Sequence, residues 1–402
     1  MLYQSERHEP RLDIPWDEAA ARALIETIAR DSGQRCGLDN EWPWHPQDIE
    51  PGDDVTQPPL AMYHGAAGVL WALRYLDAAG AVAANRRLTR ELRGLLERTQ
   101  AAGDADAASY LLGETPIRMM LEDVAPSRAN AARLVALIEG NVDHPARELM
   151  SGAPGTLLAA SFLHERTGDE QWAALFRQTA ARLWSQLEEC DETGCRYWVQ
   201  TLHGRRSSYL GAVHGFAGAA LALIRGRELL GEDQRRRWED TIATTVLRTA
   251  TRAHGAANWR PALSDRPPLK WLLQFCHGAP GVVTCLARFP GAALDDVLLE
   301  AGEAIWAAGP LRKGSNLCHG TGGNGYALLA LYERTGDATW LGRARAFAMH
   351  GIAQTHTEQR RYGQWRYSLW TGDLGFAIFL WDCIRARPAF PTLDVFFPPP
   401  AR

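Results

Sequence analysis

Positive charge is not in excess in this sequence. Its 43 lysine and arginine residues stand against 47 aspartate and glutamate residues, and the net charge at pH 7 is −4. Proteins that bind nucleic acids or anionic membrane surfaces usually carry a basic patch. We therefore expect neither kind of partner.

Long apolar runs and a secretion signal are also missing. No run reaches the roughly 20 apolar residues that a membrane-spanning helix needs, and residues 1–7 contain neither an apolar core nor a cleavage signal. Seven cysteines, an odd number in a long chain, do not resemble a disulfide framework. These features predict a cytoplasmic protein, in which reducing conditions favour metal binding over disulfide formation.

A glycine-rich turn followed by an apolar helix recurs along the chain. An amphipathic helix comes next, as in residues 341–352, whereas the second copy is degenerate and keeps only its first glycine. A helix that is apolar all round is buried on every side. The repeat therefore predicts an all-α fold, an α/α toroid of seven helical hairpins in which outer helices wrap an inner ring. The first glycines of the seven turns are Gly65, Gly113, Gly152, Gly215, Gly278, Gly320 and Gly372.

The repeats favour one structural domain, although 402 residues would suit two or three. We expect residues 60–402 to form the toroid with its functional site, and residues 1–59 to form a helix and an irregular strap packed on it. Two wider spacings predict extra loops at 190–210 and 254–273, directed toward the glycine-rich turns. Arg205 and Arg206 are candidates for lining a substrate pocket there, and a solvated loop with incidental charge is the equal alternative.

Histidines and cysteines occupy matching positions in the turns. A histidine precedes the first glycine in four copies, and two of these copies carry a Cys-His pair, in 275–281 (FCHGAPG) and 317–325 (LCHGTGGNG). Because the turns of a repeat protein lie at one end, these side chains should converge. The four histidines are His64, His214, His277 and His319.

Cys276, Cys318 and His319 are the predicted ligands of one catalytic Zn²⁺, which typically has three protein ligands and an open position. His277 is a poor fourth ligand because neighbouring side chains diverge. Such a zinc suits a thiol substrate, since it lowers the pKa of a bound thiol. Addition of the sulfur to an activated alkene would make an enolate, which His214 or His277 would protonate on carbon.

The turn sequences resemble those of the lanthionine synthetase C-like family, which includes bacterial lanthipeptide cyclases and eukaryotic homologues. The resemblance rests on the two Cys-His motifs, on 211–218 (GAVHGFAG) and on 368–375 (SLWTGDLG), and it covers about 63–384. It implies a seven-fold toroid with one zinc ion. It also implies thioether formation from a thiol, either a peptide cysteine or glutathione, and dehydroalanine or dehydrobutyrine.

The resemblance also implies roles for individual residues. His214 matches the family's proposed acid/base, and His277 lies near the reaction. Glu148 stands where the family has an acidic residue, and Lys313 matches a lysine that contacts the glutathione carboxylate. No N-terminal glutathione-binding arginine is matched in the sequence. A peptide substrate would require a separate dehydratase, because no dehydratase domain is present.

Other interpretations remain open beside these. The chain is alternatively a non-catalytic scaffold that binds zinc, glutathione or peptide. A toroidal glycosidase or lyase would need a carboxylate pair, for which Glu148 and Asp373 are the obvious acids. Glu148 also suits a helix brace, Lys313 an exposed lysine and His64 a structural or pocket-lining role. Cys190 and Cys195 bracket a turn, for which a redox or metal role is the lesser alternative. A monomer is expected.

Overall fold

The computed structural model describes residues 2–37, 41–52, 54–83, 88–103, 106–263 and 270–398. Parts of three predicted features, the N-terminal segment, the second loop (264–269) and the C-terminal tail (399–402), lie outside these ranges. Fourteen α-helices are found in the described part. In chain order they are α1 (Glu18–Gln34), α2 (Ala66–Ala78), α3 (Leu88–Ala101), α4 (Thr115–Val124), α5 (Arg128–Asn141), α6 (Ala153–Thr167), α7 (Glu170–Ser185), α8 (Phe216–Arg225), α9 (Glu232–Thr249), α10 (Ala279–Leu286), α11 (Asp295–Ala308), α12 (Thr321–Thr335), α13 (Ala338–Tyr362) and α14 (Asp373–Arg385).

The even-numbered helices form a closed inner ring. Each packs against the next even-numbered helix, and α14 packs against α2 to complete the circle. Most of their residues are buried, and in α10 all of them are. The odd-numbered helices lie outside, each against the inner helix of its own unit. The predicted α/α toroid of seven hairpins is confirmed.

The N-terminal helix takes the outer position of the last unit. No helix follows α14 among the described residues, and α1 packs against α14 in the outer position. Ile25 and Ile28 are among its buried side chains. The division of the chain at residue 59 stays a prediction, but the ring of outer helices uses a helix from before that point.

A repeated pentapeptide explains two of the hairpins. In residues 165–169 and 333–337 the sequence is ERTGD. Gly168 and Gly336 end their helices in the left-handed conformation, with φ of 69° and 71°, which glycine adopts without strain. Asp169 then accepts a hydrogen bond from the N–H of Gln171, and so begins α7 as an N-cap. One helix end and one helix start thus fit within five residues.

In the described ranges, six short strands form three two-stranded antiparallel hairpins. They lie in or next to the two predicted extra loops, but the first hairpin begins at Glu188 and the third at Ala250, before the predicted bounds. A bridge between Tyr209 and Ala262 joins one loop to the other. No helix in the described ranges is long and apolar enough to cross a membrane. The strands are β1 (Glu188–Cys190), β2 (Cys195–Tyr197), β3 (Gln200–Leu202), β4 (Arg205–Ser207), β5 (Ala250–Ala253) and β6 (Ala256–Trp259).

The chain after α14 fills the centre of the ring. Phe390 stacks on Phe275 with ring centroids 4.5 Å apart, and the carbonyl of Thr392 accepts a hydrogen bond of 2.6 Å from Tyr110 Oη. Asp382, near the end of α14, accepts hydrogen bonds from Tyr326 Oη at 2.9 Å and from the Ala389 N–H at 2.7 Å. The tail is therefore part of the core.

In each complete turn, the glycine three residues after the first one lies against the backbone of its own turn. A Cβ added there would lie 1.9 to 2.3 Å from the carbonyl oxygen six residues upstream, far inside contact distance. No side chain fits, so the helix starts directly over the turn. The six glycines are Gly68, Gly155, Gly218, Gly281, Gly323 and Gly375.

We predict that Gly323→Ala destabilises the protein by about 1–3 kcal/mol, because the new methyl group overlaps Leu317 O, 1.9 Å away. Gly342→Ala, within α13 and with nothing within 4 Å, is the matched control. It should stabilise by about 0.5–1 kcal/mol because alanine is the better helix former. Urea unfolding measures both. Equal changes in the free energy of unfolding for the two substitutions would contradict the close approach of Gly323 to the Leu317 carbonyl.

Asp382 makes stability depend on pH. Burial raises the pKa of its carboxyl group from 3.8 to about 8. Between these values the native protein holds a proton that the unfolded chain releases, so the free energy of unfolding falls as the pH rises. Asp382→Asn imitates the protonated form. Its urea midpoint, relative to wild type, should be higher at pH 8 than at pH 5.

Asp240→Asn, an exposed change on α9, is the control for this measurement. Its midpoint relative to wild type should be the same at both pH values. An equally constant difference for Asp382→Asn would show that the carboxyl group is ionised in the native protein across this range.

Candidate functional site

Backbone hydrogen bonds link successive turns around the mouth of the ring. Cys276 N–H donates to the Cys318 carbonyl at 3.0 Å, Cys318 N–H to Trp370 at 2.9 Å, and Trp370 N–H to Tyr63 at 3.0 Å. The same pattern continues from Tyr63 to Leu111 and onward. The positions two before the first glycine are thus held side by side from Cys276 through Cys318, Trp370, Tyr63 and Leu111 to Met150, and the Leu149 N–H links this row to Val213. We call this the turn belt, formed by Tyr63, Leu111, Met150, Val213, Cys276, Cys318 and Trp370.

The two predicted zinc cysteines lie next to each other in the turn belt. Cys276 is 9% exposed and Cys318 is 3% exposed. Their sulfurs are hydrogen-bonded, which lowers the pKa of Cys276 and raises that of Cys318. The structure therefore brings together two thiols that are 42 residues apart in the chain, and it favours one proton shared by the pair.

Two further side chains, absent from the sequence predictions, contact these sulfurs. Tyr63 Oη lies 2.9 Å from Cys318 Sγ, and Gln274 Nε2 lies 2.9 Å from Cys276 Sγ. Both groups donate and both stabilise negative charge on sulfur. Tyr63 had a signal in the sequence, since it precedes His64 as Cys318 precedes His319. Gln274 had no such signal, because its position depends on how the turn that contains Cys276 bends.

His214 and Glu148 form a dyad across neighbouring turns. His214 Nδ1 lies 3.1 Å from Glu148 Oε2, and Glu148 also accepts the N–H groups of Met150 and Ser151 at 2.8 and 2.7 Å. Because these bonds need an acceptor, Glu148 acts as a carboxylate and Nδ1 carries the proton. Burial by itself lowers the pKa of His214, but the hydrogen bond and charge of Glu148 outweigh it and raise this pKa.

His277 directly follows Cys276 in the same turn. Its ring is 5.8 Å from that of Tyr209, and its buried Nδ1 has no hydrogen-bond partner among the described residues. Burial lowers the pKa of His277 to about 4, and the charge of His214 acts in the same direction. His277 is therefore neutral at pH 7, and its pKa is shifted in the opposite direction to that of His214.

His319 follows Cys318, and its N–H donates to Asn316 Oδ1 at 3.0 Å. Burial lowers the pKa of the imidazole to about 4, helped by the charge of Lys313. A neutral imidazole is the form that binds metal ions. Lys313 itself is exposed. Its charge also acts on both cysteines, lowering the pKa of each.

The residues fit zinc in part. Two buried thiols and a neutral imidazole are donors that zinc prefers. Within the described ranges, however, no three or more His, Cys, Asp or Glu side chains are arranged to hold a metal ion.

Of the remaining predicted site residues, His64 lies beside this contact network. Its ring stacks on Trp44 with centroids 5.8 Å apart and packs edge-on against Tyr63 at 5.9 Å. Arg205 and Arg206 are exposed on β4, and Arg206 lies 3.9 Å from Glu188. In the described part of the chain, no hydrogen bond joins either arginine to the cysteines or to the dyad. Their predicted substrate role stays a prediction.

Arg7 lies at the site although no N-terminal arginine was matched in the sequence. Its Nη2 donates to Gln274 Oε1 at 3.0 Å, and its buried Nε has no partner in the described part of the chain. The carbonyl of Arg7 accepts the Arg312 N–H, which attaches the N-terminus beside the Lys313 turn. A sequence signal for this contact is missing, because about 300 residues separate the two segments.

Comparison with known proteins agrees with this architecture. Glutathione S-transferase LANCL1 of Danio rerio is 30% identical over 269 residues, 62% of either chain. LanC-like protein GCL1 of Arabidopsis thaliana is 30% identical over 213 residues, 50% of this chain and 46% of the relative. The alignments thus span less than two thirds of these curated relatives.

A solved structure of nisin cyclase superposes with a TM-score of 0.62 and 13% identity, over 91% of this chain and 94% of the other. At this identity the likeness shows the fold. The family model described as lanthionine synthetase C-like protein matches residues 53–395. This range includes all seven turns and both cysteines, and the chain belongs to the lanthionine synthetase C-like family.

Proposed function

We propose that this protein is a zinc-dependent enzyme that adds a thiol to a dehydroamino acid and so forms a thioether. The observation that carries the proposal is the pairing of Cys276 with Cys318 at the mouth of the ring, in the same row of turns as the His214–Glu148 dyad. Sulfur ligands and a proton donor are the two requirements of this addition.

Cys276, Cys318 and His319 are the residues that would hold Zn²⁺. When bound there, zinc would lower the pKa of a substrate thiol and so supply thiolate at neutral pH. Tyr63 and Gln274 donate hydrogen bonds to the two cysteine sulfurs and keep them oriented. These donors also reduce the negative charge that the two cysteines place on the metal.

His214 supplies the proton in the proposed reaction. Glu148 holds the proton on Nδ1, so Nε2 is the nitrogen left to face the substrate. The raised pKa of His214 keeps part of the imidazole protonated near pH 7. After the thiolate attacks the β-carbon of the dehydroamino acid, Nε2–H protonates the α-carbon. His277 is neutral and buried, and we assign it a place beside the reacting groups.

The thiol is a peptide cysteine or glutathione, and the charges near the site favour a substrate with a carboxylate. Arg7 and Lys313 both act on His319, and Arg7 has a buried Nε without a partner among the described residues. The name of the Danio rerio relative, a glutathione S-transferase, agrees with glutathione. If the substrate is a dehydrated peptide or protein, a separate dehydratase must supply it. We further propose a cytoplasmic monomer.

The second candidate is a non-catalytic scaffold that binds zinc, glutathione or peptide. It would use the same turn residues to bind its ligand without turnover. A carbohydrate-active toroid has less support. Glu148 and Asp373, the acids that it would use, each accept backbone N–H groups of their own turns.

Zinc content tests the site without relying on activity. The wild-type protein, purified with zinc supplied, should carry about one zinc ion per chain, and Cys318→Ala should lose it. Cys36→Ser, a change at a cysteine outside the turns, is the control and should keep the metal. Inductively coupled plasma mass spectrometry of the folded proteins measures the ratio of zinc to protein chain. A folded wild-type protein that stays metal-free would overturn the zinc proposal.

The dyad predicts a loss of rate without a loss of metal. His214→Asn should slow thiol addition to a dehydroalanine peptide by about 10²–10⁴-fold, the usual contribution of a general acid, while zinc content is unchanged. His203→Asn is the control, because this histidine lies in an exposed turn at φ 49°, which asparagine tolerates.

Glu148→Gln separates the dyad from a structural role. Removing the carboxylate lowers the pKa of His214, so the protonated imidazole is lost at a lower pH. The alkaline limb of the rate profile should therefore move to lower pH. Unchanged turnover in His214→Asn would remove this residue from the mechanism. It would not affect the zinc proposal, which is tested separately by the metal content of Cys318→Ala.

A further inference from the structure

A second cysteine pair lies in the β1–β2 hairpin, away from the turns. Cys190 and Cys195 are directly opposite each other in the antiparallel register and flank residues 191–194 of the loop. Opposite residues of such a pair have Cα atoms roughly 4.5–5.5 Å apart, which falls within the roughly 4.4–6.8 Å that a disulfide spans. Both thiols are free, and their side chains are hydrogen-bonded.

The two thiols have different environments. Cys190 is partly exposed, and a hydrogen bond from the Thr193 hydroxyl lowers the pKa of its thiol. Cys195 is fully buried, and burial raises the pKa of its thiol. The Thr193 hydroxyl lies 3.0 Å from Cys195 Sγ, so one side chain contacts both cysteines. An exposed nucleophile beside a buried second thiol is the arrangement of a reactive dithiol.

The hairpin is held so that the pair stays in register. Arg248 Nη1 donates to the carbonyls of Thr193 and Gly194 at 2.9 Å each. On β2, Arg196 exchanges hydrogen bonds with Thr245 Oγ1, at 3.2 Å through its N–H and 2.8 Å through its carbonyl. The loop and one strand are thus attached to α9. Closing a bond between the sulfurs needs little backbone movement.

We propose that Cys190 and Cys195 form a reversible disulfide across the β1–β2 hairpin in response to a low-molecular-weight disulfide. The Cys190 thiolate attacks the small disulfide, forms a mixed disulfide and releases one small thiol. Cys195 then gives up its proton and attacks Cys190 Sγ, releasing the second small thiol. The protein loses two electrons and two protons, which the small disulfide gains as two thiols.

Mass spectrometry of the full-length protein tests this proposal. Folded, zinc-supplied protein is exposed to glutathione disulfide, alkylated and digested with trypsin, which cuts after Arg182 and Arg196 and places both cysteines in peptide 183–196. We expect this peptide to become lighter by two hydrogen atoms and to resist alkylation. Dithiothreitol should restore both reactive thiols.

Two variants establish the order of events. Cys195→Ser should stop at a glutathione adduct on Cys190, because the second thiol is missing. Cys190→Ser should leave Cys195 unmodified while the protein is folded, because that thiol is buried. Cys318→Ala should still form the disulfide in peptide 183–196, which separates this pair from oxidation of the proposed zinc cysteines.

Two results would contradict the disulfide proposal. A wild-type peptide that keeps two alkylatable thiols, or that keeps a stable glutathione adduct, overturns the proposal. A synthetic peptide of residues 183–196 serves as the unfolded reference. The folded protein should form the internal disulfide at least about tenfold faster, since the hairpin holds the sulfurs together. Equal rates would show that the fold does not prepare the pair.

Discussion

Backbone hydrogen bonds between the turns are the constraint on which the site depends. The N–H of Cys276 binds the carbonyl of Cys318, and the chain of contacts continues through Trp370 to Tyr63. These bonds form because each turn lies directly under its own helix. The contact is so close that positions such as Gly281 have no room for a side chain. Buried backbone groups need partners, and here the neighbouring turn supplies them. The side chains at these positions are brought together as a consequence.

The chemistry of the site arises from unequal environments among similar side chains. His214 has a carboxylate partner that outweighs its burial and raises its pKa, whereas His277 and His319 are dominated by burial, and their pKa values fall to about 4. The pKa of His214 is thus raised above the ordinary value of a histidine, whereas His277 and His319 are neutral at pH 7. A neutral imidazole is the form that binds metal ions.

Both ends of the chain complete structures that the repeats begin. α1 packs on α14, whose own unit has no following outer helix. The segment after α14 fills the ring centre, where Phe390 stacks on Phe275, the neighbour of Cys276. Arg7 reaches Gln274, which contacts the Cys276 sulfur. A ring of seven inner helices leaves a central space and an open last unit, and burial of apolar surface favours filling both.

The sequence by itself determined the number of units, the all-α toroid and the convergence of Cys276, Cys318 and His214, because glycine spacing and helix polarity are local properties that repeat. It also identified Glu148, through a family pattern. Only the tertiary structure decided that Glu148 accepts a hydrogen bond from His214, that Gln274 and Arg7 contact the site, and that Cys190 lies opposite Cys195. These contacts depend on how separate turns bend toward one another, and no local pattern in the chain encodes that geometry.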